Sequence, residues 1–384
     1  MGKKNILLYI DSLMVGGMHK QTLYLAKYLN RDIFNVIVLT QNTNNGGLKE
    51  EFYNSGSKII DLGRDSSPSN KKAFNPFLAF KLLRVLKSED IDVIYLNAAP
   101  NLIYYLLARV FLWKKILLVG SFRALTFWKG NLGVKYKLLD NFFAQLLYST
   151  SNYTIVNSIA LKDNYNGVLK ITKKHPLVVI NNGCDFNFNI TKKINDIRNE
   201  LNLSQGNYFV LMVARLDPWK DFTTLLEAAK EVKLIDSNIK FFIMGNGPMK
   251  SEIELIIDKL YLKDTVFLIG EKIDSINYIN ACDISVLSTH GEGFSNTILE
   301  SMYLGKTVIA SRVGGNIDMI GDSNNFGYLV RPKSSTDLVD KILYCKNDQS
   351  KTVRIGANAR ERITELCNIT KYVDSYEKIF LLDK

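Results

Sequence analysis

Short apolar runs rich in β-branched and aromatic residues alternate with stretches of helical period along almost the whole chain. Runs of this kind fall at 5–10, 35–40, 58–62, 92–97, 116–120, 154–157 and 177–181, and again at 208–213, 239–244, 265–269, 284–288, 307–311 and 327–331. They carry no polar alternation, so they read as strands buried on both faces. Helix-length segments between them predict two parallel, doubly wound α/β sheets. The pattern lapses between Asp185 and Ser204, where Asn, Lys and Asp dominate. A linker is therefore expected at 186–204, between domains at 1–185 and 205–368, with a last helical segment at 369–384. No internal repeat or low-complexity segment interrupts the scheme.

One strand-to-helix junction carries two carboxylates eight positions apart, Glu292 and Glu300. Upstream, Ile284 to Ser288 reads as a buried strand; downstream, Ile298, Leu299, Met302 and Tyr303 recur at helical spacing until Gly305. Gly293 to Asn296 are thus expected to form the helix's first turn, where free N–H groups and the helix dipole favour an anion such as a diphosphate. Glu300 shares a helix face with Asn296 and can reach a hydroxyl beside that phosphate. Glu292 is expected in the loop, free to meet a second group. A second junction, Val213-Ala214-Arg215-Leu216-Asp217-Pro218-Trp219-Lys220-Asp221, follows the first strand of the second half. Ligands of open α/β sheets bind at the carboxyl ends of strands, so Arg215 and Lys220 are expected there as a guanidinium fork and a mobile ammonium. Taken alone, they are also what a surface turn at Pro218 would show.

Glu292-Gly293-Phe294-Ser295-Asn296-x-x-x-Glu300, with Arg215-x-x-x-x-Lys220, resembles the signature of retaining glycosyltransferases of family 4 (glycosyl transferases group 1). The resemblance implies the GT-B fold: two Rossmann-like domains facing across a cleft, with a C-terminal helix crossing back to the first. It implies that Glu292 contacts the donor sugar, that Glu300 holds the nucleotide ribose, and that Arg215 and Lys220 clamp the diphosphate. Phe294, Ser295 and Asn296 belong to the same phosphate turn. Gly16-Gly17, after the first strand, corresponds to a loop that closes on the donor phosphate, and Gly245-Asn246-Gly247-Pro248 to a turn beside the nucleotide. Phe267, within 266–270, is expected to border the base, and Gly314-Gly315 to line the pocket opposite Glu292. The nucleotide-diphosphate sugar is a substrate, and no cofactor or metal is expected. Asp90-Ile91-Asp92 precedes its strand, at the wrong sheet edge for a metal site.

Family members often carry a His at the end of a first-domain strand, whereas this chain has none between His19 and His175. The comparable strand ends are Leu96-Asn97-Ala98 and Gly120-Ser121-Phe122-Arg123. Asn97 and Arg123 are therefore placed on the acceptor and sugar side. Arg123 can neutralise a phosphate or orient the sugar, but it cannot act as a base. His290 is close enough to Glu292 to face the same crevice.

Composition narrows the setting. Hydrophobic content of 47% and charged content of 23% are those of a globular protein. Lys3-Lys4 runs directly into the first strand without a signal-peptide pattern. The apolar stretch 102–119 contains Arg109, Lys114 and Lys115, so it reads as a helix and a buried strand rather than a membrane span. Four scattered cysteines form no metal-ligand spacing and suggest a cytoplasmic protein. Residues 1–200 hold 27 Lys and Arg against 14 Asp and Glu, a charge of +13, whereas 201–384 hold 22 against 24, a charge of −2. A basic half suits an anionic membrane surface or a phosphate-bearing acceptor; no nucleic-acid-binding motif is present. Lys71 to Arg84, and Phe127-Trp128-Lys129 to Tyr148, interleave basic and aromatic residues and are expected at the inner face of the membrane.

Together these readings predict transfer of a sugar from a nucleotide-diphosphate donor, UDP favoured, to a saccharide or polyprenyl-linked acceptor in cell-envelope polysaccharide synthesis. The alternatives left open are a glycoside hydrolase using Glu292 and Glu300, an isomerase of nucleotide-sugars with the same fold, and a non-catalytic scaffold.

Overall fold

The computed structural model describes residues 2–14, 16–43, 47–64, 75–97, 99–123, 134–171 and 175–382, without the side chains of 99, 100 and 134–140. Val15, Ala98, Lys71, Lys72 and the segment Phe127-Trp128-Lys129 lie outside the described residues.

The chain divides into two compact units, 1–185 with 367–384, and 186–366. The first unit opens with β1 (Lys4–Ser12), α1 (Gly17–Tyr28), β2 (Phe34–Asn42), α2 (Lys49–Tyr53) and β3 (Lys58–Asp61). It continues with α3 (Phe77–Ser88), β4 (Val93–Leu96), α4 (Ala99–Arg109), β5 (Leu117–Phe122), α5 (Val134–Thr150), β6 (Tyr153–Val156), α6 (Ile159–Asn166) and β7 (Leu177–Val179). Among the described residues its seven strands are parallel, in the order β3-β2-β1-β4-β5-β6-β7. Alternation along β1 shows why the strands read as unbroken apolar runs. Leu7 and Tyr9 pack beneath α3 to α6, while Ile6, Leu8 and Ile10 pack beneath α1, so both faces are buried.

The second unit runs α7 (Ile194–Glu200), β8 (Tyr208–Val213), α8 (Phe222–Ile235), β9 (Ile239–Met244), α9 (Lys250–Lys259), β10 (Val266–Gly270) and α10 (Ser275–Ala281). Then come β11 (Ile284–Leu287), α11 (Asn296–Tyr303), β12 (Thr307–Ser311), α12 (Gly315–Ile320), β13 (Tyr328–Val330), α13 (Ser335–Asn347) and α14 (Gln349–Leu366). Its six parallel strands are ordered β10-β9-β8-β11-β12-β13. Each of the thirteen expected strands is present, within a residue or two of its expected ends.

The expected linker is corrected. Within 186–204, α7 folds onto the second unit, with Ile197 buried in its core and the Tyr278 hydroxyl donating to Glu200. Lys192 and Lys272 flank that carboxylate, and the Asn277 side chain accepts from the amides of Thr191 and Lys192. The Tyr278 hydrogen bond, followed by that of Lys192, holds the Glu200 carboxyl down at about 2.

The last helix, α15 (Ile369–Leu381), returns to the first unit and packs Tyr372, Val373, Tyr376, Ile379 and Phe380 beside α1 and β1. No helix among the described residues is long and apolar enough to cross a membrane.

Candidate active site

In the second sheet, β8 is followed by β9 and β10 on one side, after which the chain returns to β11 on the other. Loops leaving β8 and β11 therefore diverge and open a crevice at their carboxyl ends. Hydrogen bonds fix both loops. The Asp221 amide donates to the Ser288 carbonyl (3.1 Å), the His290 amide to the Trp219 carbonyl (2.9 Å), and the Thr289 hydroxyl to the same carbonyl (3.0 Å). Asp221 also caps α8, accepting from the Thr224 amide (3.2 Å) and hydroxyl (2.7 Å).

This stitching brings Lys220 and Glu292 together. They are 72 residues apart in sequence, yet the Lys220 ammonium donates to a Glu292 carboxylate oxygen in an ion pair whose side chains are only 11% and 20% exposed. The expectation of a mobile ammonium and an unengaged loop carboxylate is thereby corrected: each group holds the other. Arg215 has the opposite character. Its Nε sits 2.9 Å from the buried Asp217 carboxylate, while the side chain is 73% exposed. One edge of the fork is anchored and the rest faces outward.

Glycines explain how the loops approach so closely. Gly314 has φ of 47°, and a β-carbon there would collide with the Glu292 carbonyl; Gly315 donates its amide to that same carbonyl (3.0 Å). Gly314-Gly315, expected to line the pocket opposite Glu292, instead pack directly against the Glu292 backbone. Gly245, expected beside the nucleotide, crosses the Ala214 carbonyl too closely for any β-carbon. The turn it forms is latched when the Leu216 amide donates to the Asn246 carbonyl (3.0 Å).

The helix start is also corrected. α11 begins at Asn296, with Ser295 as its N-cap accepting from the Ile298 amide (3.3 Å), so Gly293 and Phe294 precede the first turn. Phe294 and Ser295 are buried, Ile298 and Leu299 enter the core, and Asn296, Thr297 and Glu300 form a half-buried stripe. Thr297 ties the helix to the end of β8 by donating to the Val213 carbonyl (3.0 Å). Phe267 stacks on Phe242 (5.0 Å, 22°), so its ring is a packing element. Half-exposed His290 lies 3.6 Å from Asp221.

In the first unit, β1 and β4 are neighbours at the corresponding switch point. Gly16 precedes α1 in extended backbone without a side-chain cap, and Gly17 is its first residue. Asn97 donates to the Thr22 hydroxyl (2.5 Å), while its buried carbonyl oxygen has no partner among the described residues. Arg123 is corrected to a fastening role. Its Nη2 donates to the hydroxyls of Tyr95 (2.8 Å) and Tyr376 (2.5 Å), its Nη1 to Asn182 (2.7 Å) and its Nε to Ser121 (3.0 Å). It thus secures α15. Asp90 and Asp92 both pair with Lys114.

Sequence reading missed one pair here. His19 Nε2 lies 2.9 Å from Asp11 Oδ1 at the end of β1. Partial burial pushes the Asp11 carboxyl up, but the hydrogen bond and charge of His19 outweigh it and hold the group below its ordinary range. A strand ending in Asp and a His in the first turn of the next helix was the available signal.

The family model for glycosyl transferases group 1 matches residues 193–362, and that for glycosyltransferase family 4 matches residues 15–188. The chain is 28% identical over 260 residues to the N-acetylgalactosamine-N,N'-diacetylbacillosaminyl-diphospho-undecaprenol 4-alpha-N-acetylgalactosaminyltransferase of Campylobacter jejuni, covering 66% of this chain and 67% of that protein. It is 25% identical over 341 residues to the same organism's N,N'-diacetylbacillosaminyl-diphospho-undecaprenol alpha-1,3-N-acetylgalactosaminyltransferase, covering 81% and 84%. Among solved structures, Anabaena HepE in complex with UDP and glucose superposes with a TM-score of 0.81 over 98% of both chains at 22% identity, a likeness of fold. The two matched regions together take in most of both units, and the chain belongs to the glycosyltransferases of group 1 and family 4, enzymes of the GT-B fold.

Proposed function

We propose that this glycosyltransferase moves a hexosyl unit from a nucleotide-diphosphate sugar, with UDP as the favoured nucleotide, to a saccharide or polyprenyl-linked acceptor, retaining the anomeric configuration. The observation that carries this reading is the meeting of Lys220 and Glu292 at the switch point of the second sheet, with the outward fork of Arg215 on the same β8 loop as Lys220. One cation and one carboxylate from different loops converge where a diphosphate and its sugar must lie side by side. Support for UDP comes from HepE, solved with UDP and glucose, and support for a lipid-linked acceptor from the two Campylobacter relatives with diphospho-undecaprenol acceptors in their names.

In this account the bond between the anomeric carbon and the diphosphate oxygen breaks as the acceptor oxygen bonds to carbon on the same face. The electron pair goes to the diphosphate, and the hydroxyl proton passes to the departing oxygen. Arg215, Lys220 and the amides at the start of α11 stabilise the charge that develops. Glu292 positions the sugar and Glu300 the ribose, so that binding energy aligns the reacting atoms. The protein's own residues supply these roles without a metal ion. The acceptor places the enzyme at the cytoplasmic face of the membrane, in the synthesis of a cell-envelope polysaccharide.

Thermal unfolding in the presence of UDP-, GDP- and ADP-sugars tests the donor assignment, because a ligand bound only by the folded state raises the melting temperature by mass action. Protection by one nucleotide series supports it; protection by none overturns it. Hydrolysis of a simple glycoside without nucleotide would instead establish the hydrolase alternative, and turnover of a nucleotide-sugar without acceptor the isomerase.

A further inference from the structure

Every exposed Phe or Trp among the described residues lies in one region of the first unit: Phe77, Phe80, Phe111, Trp113 and Phe142. Trp113 is 99% exposed and Phe77 74%. The helices that carry or precede them are neighbours. α3 packs against α4, and α4 against α5, with Leu78, Leu82, Leu102, Tyr105, Ala144 and Leu147 in a common core beneath. Their outer sides therefore form one surface.

Along α3 the outward positions Phe77, Phe80, Arg84 and Lys87 follow helical spacing, aromatic at one end and basic at the other. The exit from α4 presents Arg109, Val110, Phe111 and Trp113 in succession. Among the described residues no carboxylate pairs with Arg84, Lys87 or Arg109, whereas Glu89 is held by Lys58, and Asp90 and Asp92 by Lys114. The acids of this region are thus neutralised in place and the outward charge is positive.

We propose that this α3–α4 surface docks on an anionic lipid bilayer, with Phe77, Phe80, Phe111 and Trp113 entering the headgroup region and Arg84, Lys87 and Arg109 meeting lipid phosphates. Charge complementarity decides for a bilayer over a second copy of this chain, because two basic faces would repel each other. Rings that leave apolar area in water while cations surround them have the composition of an interfacial anchor. The inference deepens the lipid-linked acceptor reading: the sequence already pointed to the stretch from Lys71 to Arg84, and the structure adds Lys87 and the α4 exit at Arg109, Phe111 and Trp113, where 102–119 read only as a helix and a strand.

The test is vesicle co-sedimentation of the full chain with phosphatidylcholine alone and with added phosphatidylglycerol. Phe111→Ser with Trp113→Ser should lower partitioning to anionic vesicles by about tenfold or more. Arg84→Glu with Lys87→Glu should abolish binding at low salt. Both residue pairs are exposed, so unchanged circular dichroism and melting temperature will establish that the variants fold. Binding unaffected by both double variants overturns the surface assignment, as does concentration-dependent dimerisation that the same variants remove. Transfer to a detergent-soluble acceptor analogue is measured in parallel. Normal transfer without vesicle binding refutes the docking surface alone, while vesicle binding without transfer to any acceptor refutes the functional reading alone.

Discussion

Exchanging Glu292 for Gln should tighten nucleotide binding while lowering turnover, because the carboxylate and the diphosphate compete for one ammonium. In contact, unit charges at the effective dielectric of about 20 found in proteins attract by about 4 kcal/mol. Both side chains are mostly withdrawn from water, and their desolvation cancels much of that attraction, leaving a net coupling of about 1 to 2 kcal/mol. A diphosphate that recruits Lys220 must overcome this coupling, which is subtracted from the observed affinity. Glu292→Gln removes the competing charge at nearly constant volume, so a nucleoside diphosphate should bind roughly 5- to 30-fold more tightly. Transfer should fall, since the sugar loses the carboxylate proposed to position it. Lys220→Ala should behave oppositely towards the nucleotide, losing about 1.5 to 3 kcal/mol of charged hydrogen bonding. Isothermal titration with UDP, together with steady-state rates on the complete donor, separates the two effects. If Glu292→Gln weakens UDP binding as much as Lys220→Ala does, the pair is a structural bridge and the competition argument fails.

Three further outcomes follow from other residues. Glu300→Gln should weaken donor binding by about 1.5 to 3 kcal/mol with the fold intact, read by calorimetry; unchanged affinity removes Glu300 from the ribose. Arg123→Ala should lower the melting temperature more than Tyr376→Phe, because it strips a partner from Asn182 and Ser121 and leaves the Tyr95 and Tyr376 hydroxyls only each other, at roughly 1 to 3 kcal/mol for each group left unsatisfied. Melting temperatures of both variants equal to that of the unaltered protein would show that α15 is held by apolar packing alone. Glu200 titrates at about 2 instead of its ordinary 4.5, so the stability it contributes is present above 4.5 and is lost as the pH falls towards 2. The melting-temperature deficit of Tyr278→Phe should therefore be largest above pH 4.5 and shrink on acidification, and a deficit independent of pH would contradict the origin of that shift.

What the sequence revealed and what it hid have physical reasons. Strands buried on both faces have no polar period to confuse them, so thirteen apolar runs located thirteen strands. α7 was invisible because its seven residues place only Ile197 in the core, too few for a helical period to register. At the site, the placement of Arg215, Lys220 and Glu292 in the loops after β8 and β11, and of Glu300 on α11, was legible from residue type and spacing. The bond between Lys220 and Glu292 was not, since it depends on β8 lying beside β11 and on hydrogen bonds between their loops. Glycines 245 and 314 announced close approach correctly, but what approaches them is the chain's own backbone. Arg123 ended a strand, as a site residue would; its partner Tyr376 lies 253 positions away on a helix that returns to the first unit, a contact no local pattern encodes.

Arg215, Lys220, Glu292 and Glu300 are proposed to form the donor site of a transferase. Incubating the protein with UDP-sugars and a polyprenyl-diphosphate saccharide, while measuring both free UDP and the mass of the lipid-linked product, tests it most directly. One UDP should be released for each sugar added to the acceptor, with no release without acceptor beyond slow hydrolysis, and both signals should be lost together in Lys220→Ala. UDP release that continues undiminished in Lys220→Ala, or a donor consumed with no gain in acceptor mass, would contradict it.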